Sequence, residues 1–174
     1  GGLFMNVKVN KRLQEMDEVR LAKFMPSSGD ESLPIGACYK FYLETTGVFC
    51  KPLRHIYLGP AYSNKAIEGF INQSRLVDRY EIEFVDDIEY HIAQRLADGE
   101  VVARFKGAAE WGARSLGNRA ILARPDRMES FFMVNDQVKM RDFWMPFAPS
   151  ILREAHKSYL QMGKVTRAPF MITS

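Results

Sequence analysis

The chain has 174 residues, 47% hydrophobic and 26% charged, with 24 basic and 21 acidic side chains for a formal charge of +3. That length supports a real core and that balance excludes a disordered chain, while so small a net charge is no signature of nucleic-acid binding. No apolar run nears the roughly 18 residues that span a bilayer, and no basic segment followed by an apolar one marks a signal peptide. Cys38 and Cys50 are too few and too far from histidine for a disulfide framework or a metal site. Cys38, in a run of small and apolar residues, is expected as a buried structural thiol, and the chain as a reduced, soluble, cytoplasmic protein.

In chain order, GGLFMNVKVNKRL opens on a glycine pair and runs into a helix candidate. Val19 to Met25 suits a short strand, and PSSGDES is a loop. Leu33 to Glu44 reads as a helix with Ile35, Ala37, Cys38, Phe41 and Tyr42 crowding one side, ended by Gly47. A divide follows near Thr45 to Leu53. HIYLGPAYS reads as a strand entering a Gly-Pro turn, and Ser63 as the N-cap of a helix carrying Ile67, Phe70 and Ile71. Tyr80 to Val85 alternates as a half-buried strand. Asp86 and Asp87 then cap a helix with Ile88, Ile92 and Leu96 on one face and Gly99 as its stop. Val101 to Phe105 is a further strand. Met128 to Val134 is helical or irregular, Ile151 to Gln161 is an amphipathic helix, and APFMITS begins a strand.

Two segments carry the chemistry: Gly107 to Leu122, GAAEWGARSLGNRAIL, and Val134 to Ile151, VNDQVKMRDFWMPFAPSI. Glycines let a backbone approach a ligand, and exposed amides cradle oxyanions. Arg114, Arg119, Lys139 and Arg141 add fixed positive charge, with guanidinium forks that match phosphate. The residues therefore support a phosphate or nucleotide site, or a basic surface carrying two turns. It is no P-loop: Gly107 and Gly112 have the right separation, but Ala113-Arg114 follows where Lys-Ser/Thr is required. Lys139 and Arg141, if on a strand, share a face and can grip one polyphosphate. Alternative roles stand beside these. Arg114 or Arg119 can pair with Glu110, Asn118 can be a turn residue at positive φ, and Ser150 can cap the last helix. Phe143, Trp144 and Phe147 form an adenine wall, or at least two of them pack in the core.

These segments resemble the C-terminal half of the carbamoyltransferases that include nodulation protein U and the antibiotic-tailoring O-carbamoyltransferases. Gly107, Glu110, Gly112, Arg114, Leu116, Gly117, Asn118, Arg119, Ile121 and Leu122 match that family's first block. Asn135, Lys139, Arg141, Pro146, Phe147, Ala148, Pro149 and Ser150 match its second. Ala109, Ala120 and Met145 stand where the family usually has Met, Ser and Arg, so one anion-binding group is missing.

The resemblance implies an α/β fold in two parts. Residues 1–46 would be the C-terminal remnant of an actin-like, RNase H-like carbamoyltransferase domain. Residues 47–174 would be a YrdC-like domain, a twisted mixed sheet with helices, truncated at its C-terminus. It further implies ATP-dependent O-carbamoyl transfer. Carbamoyl phosphate and ATP, with Mg²⁺, would form carbamoyl adenylate here, and the upstream domain would pass the carbamoyl group to a hydroxyl of a sugar or natural product. Arg114 and Arg119 are assigned to the donor phosphate and carbamoyl end, and Lys139 and Arg141 to the ATP phosphates. Lys106, Glu110, Gly117, Asn118 and Ser150 are assigned to binding, with Glu110 orienting an arginine in preference to holding Mg²⁺ through water. No side chain reads as a covalent nucleophile, so positioning and electrostatics carry the catalysis. Asp30 matches a ligand of the upstream domain's Fe²⁺ or similar divalent metal, whose histidine partners this sequence lacks. Physically it is also a helix-initiating carboxylate. Gly1, Gly2 and Asn6 resemble a nucleotide-contacting loop of that same domain, and the isolated piece is expected to turn over poorly.

Two other readings stand. A threonylcarbamoyl-adenylate synthase shares the wider fold, but the E-x-G-x-R-x-L-G-N-R block argues against it. A non-catalytic RNA or polyanion module would bind with steep salt dependence and no need of carbamoyl phosphate. A membrane partner is not expected, and the acceptor and the oligomeric state are open.

Overall fold

The computed structural model describes residues 2–161, 163, 164, 168 and 170–173. Gly1, and the Pro169 and Ser174 of the expected terminal strand, lie outside them. The chain forms two compact units, one of Gly1–Leu58, Glu110–Leu116 and Ser150–Ser174, the other of Gly59–Ala109 and Gly117–Pro149.

In the first unit, a 3-10 turn at Gly2–Met5 leads to α1, Val7–Glu15. The Asn6 side-chain oxygen caps α1 by accepting from Lys8 N at 3.1 Å and Val9 N at 3.2 Å. Asn10, fully buried, donates from Nδ2 to the carbonyls of Phe4 at 2.8 Å and Ile172 at 2.6 Å. This ties α1 to the end of the chain. Val19 to Met25 is not a strand; it runs irregularly without a ladder partner among the described residues.

A 3-10 turn at Asp30–Ser32 enters α2, Leu33–Thr46. Pro34 sits in the first turn of α2, where a missing N–H costs nothing. Gly47 ends the helix at φ 70°, its N–H donating to Leu43 O at 2.8 Å. No residue of α2 is buried, and Phe41 is 69% exposed, so the expected apolar face lies uncovered. Cys38 is likewise exposed, correcting its expected burial.

Ile56, 1% exposed, anchors this unit's core, and its carbonyl accepts from Trp111 N at 2.7 Å. The expected strand at HIYLG is not one; it runs without regular ladder pairing among the described residues. The expected helix from Ile151 to Gln161 contracts to α6, His156–Tyr159. Leu152 and Tyr159, 70% and 76% exposed, bury no apolar stripe, and propensity alone rarely holds a helix that short. Ser150 lies six residues before α6 and does not cap it. Among the described residues of the expected terminal strand none lies in a strand: Phe170 and Met171 form a turn, with Met171 at φ 53°.

In the second unit, α3 spans Asn64–Gln73, with Ser63 Oγ accepting from Ala66 N at 3.2 Å as expected of its N-cap. Tyr80 to Val85 alternates in sequence but is no strand. Phe84 is 75% exposed, because alternation is satisfied only where a second strand and a covering layer exist. Asp87 caps α4, Ile88–Ala97, by accepting from Tyr90 N at 3.1 Å, and the chain turns at Gly99.

The strand expected at Val101 to Phe105 is β1, Val102–Phe105. It pairs antiparallel with β2, Arg119–Leu122, in a register that sets Val102 opposite Leu122 and Phe105 opposite Arg119. Past the ribbon, α5 at Met128–Phe132 continues as a π-helix over Met133–Lys139. Val134 and Asn135, 4% and 0% exposed, are buried there. Helices thus combine with a small antiparallel sheet, an α/β composition. Among the described residues no helix is long and apolar enough to cross a membrane.

Candidate functional site

In the second unit, β1 and β2 bring the two ends of the first motif together. Lys106 N donates to Asn118 O at 2.9 Å, and Asn118 Nδ2 donates to Ala108 O at 2.8 Å. Gly117 takes the positive φ of this turn, at 103°, and Asn118 does not, correcting the expected division of labour. Arg119 spreads its guanidinium over the mouth of the ribbon. It donates to the carbonyls of Lys106 at 2.8 Å, Gly107 at 3.0 Å, Asn118 at 3.2 Å and Pro60 at 3.3 Å. Its planar fork makes such a convergence of carbonyls possible, which a lysine cannot match.

Lys106 pairs with Glu89 of α4, and Arg104 donates to the same carboxylate at 2.7 and 3.1 Å. The hydrogen bond from Arg104, followed by that from Lys106, pulls the Glu89 carboxyl down from 4.5 to about 2. This triad ties α4 to β1 and to Lys106 just beyond it.

The second motif is held differently. Lys139 ends the π-helix, exposed, and Met140 reverses the chain at φ 49°. The expectation that Lys139 and Arg141 share the face of a strand is therefore corrected: neither lies in a strand, and a left-handed residue stands between them. Arg141 folds back on Asn135, donating from Nε to Oδ1 at 2.5 Å and from its backbone N to Asn135 O at 3.0 Å. Its Nη2 donates to Pro146 O at 3.3 Å, and the guanidinium carbon lies 4.2 Å from the centre of the Phe147 ring. Phe147 meets Phe131 edge-on at 5.3 Å. Phe143 and Trp144 are 71% and 65% exposed, so the expectation that at least two of these aromatics pack in the core fails.

In the first unit, Glu110 Oε1 accepts from Leu116 N at 2.8 Å, closing the loop between them, and Tyr57 Oη donates to Leu116 O at 2.9 Å. Arg114 Nη2 donates to Met5 O at 2.9 Å. Asp30 is exposed at the start of its 3-10 turn. Among the described residues no three His, Cys, Asp or Glu side chains are grouped to hold a metal ion, so the residues present do not fit a complete metal site around Asp30. His55, His91 and His156 are engaged singly, by Tyr57, Arg95 and Arg153 respectively.

Residues 93–174 match the family described as carbamoyltransferase C-terminus. The chain carries a carbamoyltransferase-family C-terminal region. Across nearly its whole length it is similar to longer proteins. One is an uncharacterized protein of Synechocystis sp., 30% identical over 99% of this chain and 28% of its own length. Another is nodulation protein NolNO of Sinorhizobium fredii, 31% identical over 98% of this chain and 25% of its own length. A third is nodulation protein NolO of Bradyrhizobium diazoefficiens, 32% identical over 98% of this chain and 31% of its own length. The chain thus spans about a quarter to a third of these relatives.

The matched carbamoyltransferase region contains Lys106 to Arg119, Lys139, Arg141 and Ser150, and leaves out Asp30. Sequence reasoning missed Glu89 and gave Asn135 no role. Nothing in the local sequence marks Glu89 as the partner of two cations 15 and 17 residues away. Asn135 carried a better signal, as the conspicuous amide in the apolar run FFMVN.

Proposed function

We propose that this carbamoyltransferase region binds carbamoyl phosphate and Mg-ATP and forms carbamoyl adenylate. In a YrdC-like setting, carbamoyl phosphate and water give phosphate and carbamate. A carbamate oxygen then attacks the α-phosphorus of ATP and expels pyrophosphate. In the longer polypeptide an acceptor hydroxyl attacks the carbamoyl carbon and expels AMP. Carbamate is a weak nucleophile and short-lived, so once it forms the two anions must be held together and bulk water kept out.

The observation that carries this reading is the family match over residues 93–174, together with the build of the two cationic segments inside it. Arg119 is fixed by backbone carbonyls and the Phe105 ring, and Arg141 by the Asn135 amide, the Pro146 carbonyl and the Phe147 ring, so their positive charge is preorganised. Lys139, exposed at the end of the π-helix, serves the ATP phosphates with Arg141. Arg114 and Arg119 are assigned to the donor, and Lys106, Glu110, Gly117, Asn118 and Ser150 to substrate and nucleotide binding. Mg²⁺ enters with the nucleotide and neutralises phosphate charge. The proposal for the full-length protein also includes an actin-like domain ahead of residue 47, with Asp30 contributing to its Fe²⁺-type centre.

Calorimetric titration of Mg-ATP, with and without carbamoyl phosphate, tests the reading beside R141A. Saturable binding that R141A weakens supports it. Wild-type binding that R141A leaves unchanged removes the nucleotide from the second motif.

A further inference from the structure

Asn135 is 0% exposed, within a π-helix, a form that carries one extra residue per turn and recurs at functional sites. Its Oδ1 accepts from Arg141 Nε at 2.5 Å, and its backbone carbonyl accepts from Arg141 N at 3.0 Å. Its own Nδ2 is buried without a hydrogen-bond partner. A buried amide that leaves one donor unsatisfied is costly, and an apolar residue there would avoid the cost. Met140 adds a second expense, a non-glycine residue at φ 49° and 85% exposed. Both features serve one geometry: the chain reverses directly after the π-helix and returns Arg141 to Asn135.

The rest of the guanidinium is fixed as well. Pro146 O takes Nη2, Phe147 lies beneath the plane, and Phe131 braces Phe147 edge-on. Among the described residues no acceptor meets Nη1.

We propose that Asn135 is the positioning residue of Arg141, holding Nε so that the Nη1 edge is presented to the polyphosphate of ATP. This rests on the nucleotide reading of the second motif. The role requires an acceptor that is neutral. A carboxylate would hold Nε as well but cancel the charge meant for the ligand, whereas an amide orients the cation and leaves its charge available. The unsatisfied Nδ2 is the cost of that choice.

The test uses the 174-residue chain as wild type, N135A, N135D, R141A and the double variant N135A/R141A. Two readouts are taken. Exchange of the Arg141 Nε–H, followed by nitrogen-15 NMR, reports the orientation without any ligand. Calorimetry reports Mg-ATP affinity. The Nε–H is expected to be protected in wild type and N135D and to exchange freely in N135A. Mg-ATP affinity should fall about tenfold in N135A and in N135D, yet change less than about twofold when N135A is added to R141A, because the two residues act as one unit. Equal Nε–H exchange in wild type and N135A overturns the proposal. So does an N135A loss of affinity that persists undiminished in the R141A background, which is the mark of a merely structural role. If N135A fails to fold, N135D decides, and wild-type affinity in N135D overturns the proposal. Failure of wild type to bind Mg-ATP defeats both the nucleotide reading and the presentation of Nη1 to ATP. The NMR contrast then shows separately whether Asn135 still orients the guanidinium.

Discussion

Arg119 lies with its guanidinium carbon 3.6 Å from the centre of the Phe105 ring, directly across the β1–β2 ribbon from it. The strand pair and the cation–π contact are thus one unit, and the carbonyls of Lys106, Gly107 and Pro60 close around its outer edge. The same side chain that is proposed to meet the donor phosphate also organises the loop that carries it.

Replacing Arg119 with alanine should therefore lower stability as well as ligand binding. Losing charged hydrogen bonds to carbonyls and the ring contact is expected to cost about 2 kcal/mol. R119K keeps the charge but not the fork, and should recover less than half of that. Urea unfolding followed by circular dichroism measures both.

Glu89 makes the second unit acid-sensitive. Its carboxyl is held at about 2 in the folded protein against 4.5 ordinarily, by the hydrogen bond from Arg104 and then that from Lys106. A folded value below the unfolded one means that the stabilisation is complete above pH 4.5 and disappears as pH falls toward 2. Wild type should exceed E89Q in thermal midpoint above that window and converge on it at the acid end. A constant difference across the titration would remove the triad's electrostatic role. The Glu89 carboxylate is exposed to solvent, so high salt should shrink the gap.

Gly112 and Gly117 both sit at positive φ, 101° and 103°, but their surroundings differ. A Cβ on Gly112 would lie 2.8 Å from Ser27 Cβ, whereas one on Gly117 would meet nothing within 4 Å. G117A should cost about 1 kcal/mol, the backbone strain alone. G112A should cost clearly more, since Ser27 is buried and has little room to yield. Equal costs in chemical denaturation would contradict the close approach.

Asn10 reaches two carbonyls 6 and 162 residues away, fully buried. N10A leaves both acceptors unpaired and should destabilise the first unit by about 2 kcal/mol or more. N10D should be no better, because a carboxylate accepts where a donor is required. Thermal melts of the two variants check this.

Cys38, exposed on α2, should react with a thiol reagent in the native protein ahead of Cys50, which is half-buried. Mass spectrometry after brief labelling assigns the first site, and initial labelling at Cys50 would contradict the exposed face of α2.

What the sequence determined by itself is local. Ser63, Asp87, Gly47 and Gly99 act where they were read, because a cap or a helix stop is satisfied by backbone groups within about four residues. The basic, glycine-punctuated motifs and their family were legible too, since residue order alone carries them. Tertiary structure decided everything that needs a partner far along the chain. Tyr80 to Val85 has a strand's alternation and no strand beside it, so it stays unpaired, while Arg119 finds β1 and becomes one. Met140's reversal separates Lys139 from Arg141, which an i, i+2 rule had placed together. Glu89's two cations and Asn135's hold on Arg141 arise only when distant or folded-back segments meet. A hydrogen-bonding group announces its chemistry in the sequence, but its partner is chosen by whichever packing leaves the fewest such groups buried and unmet.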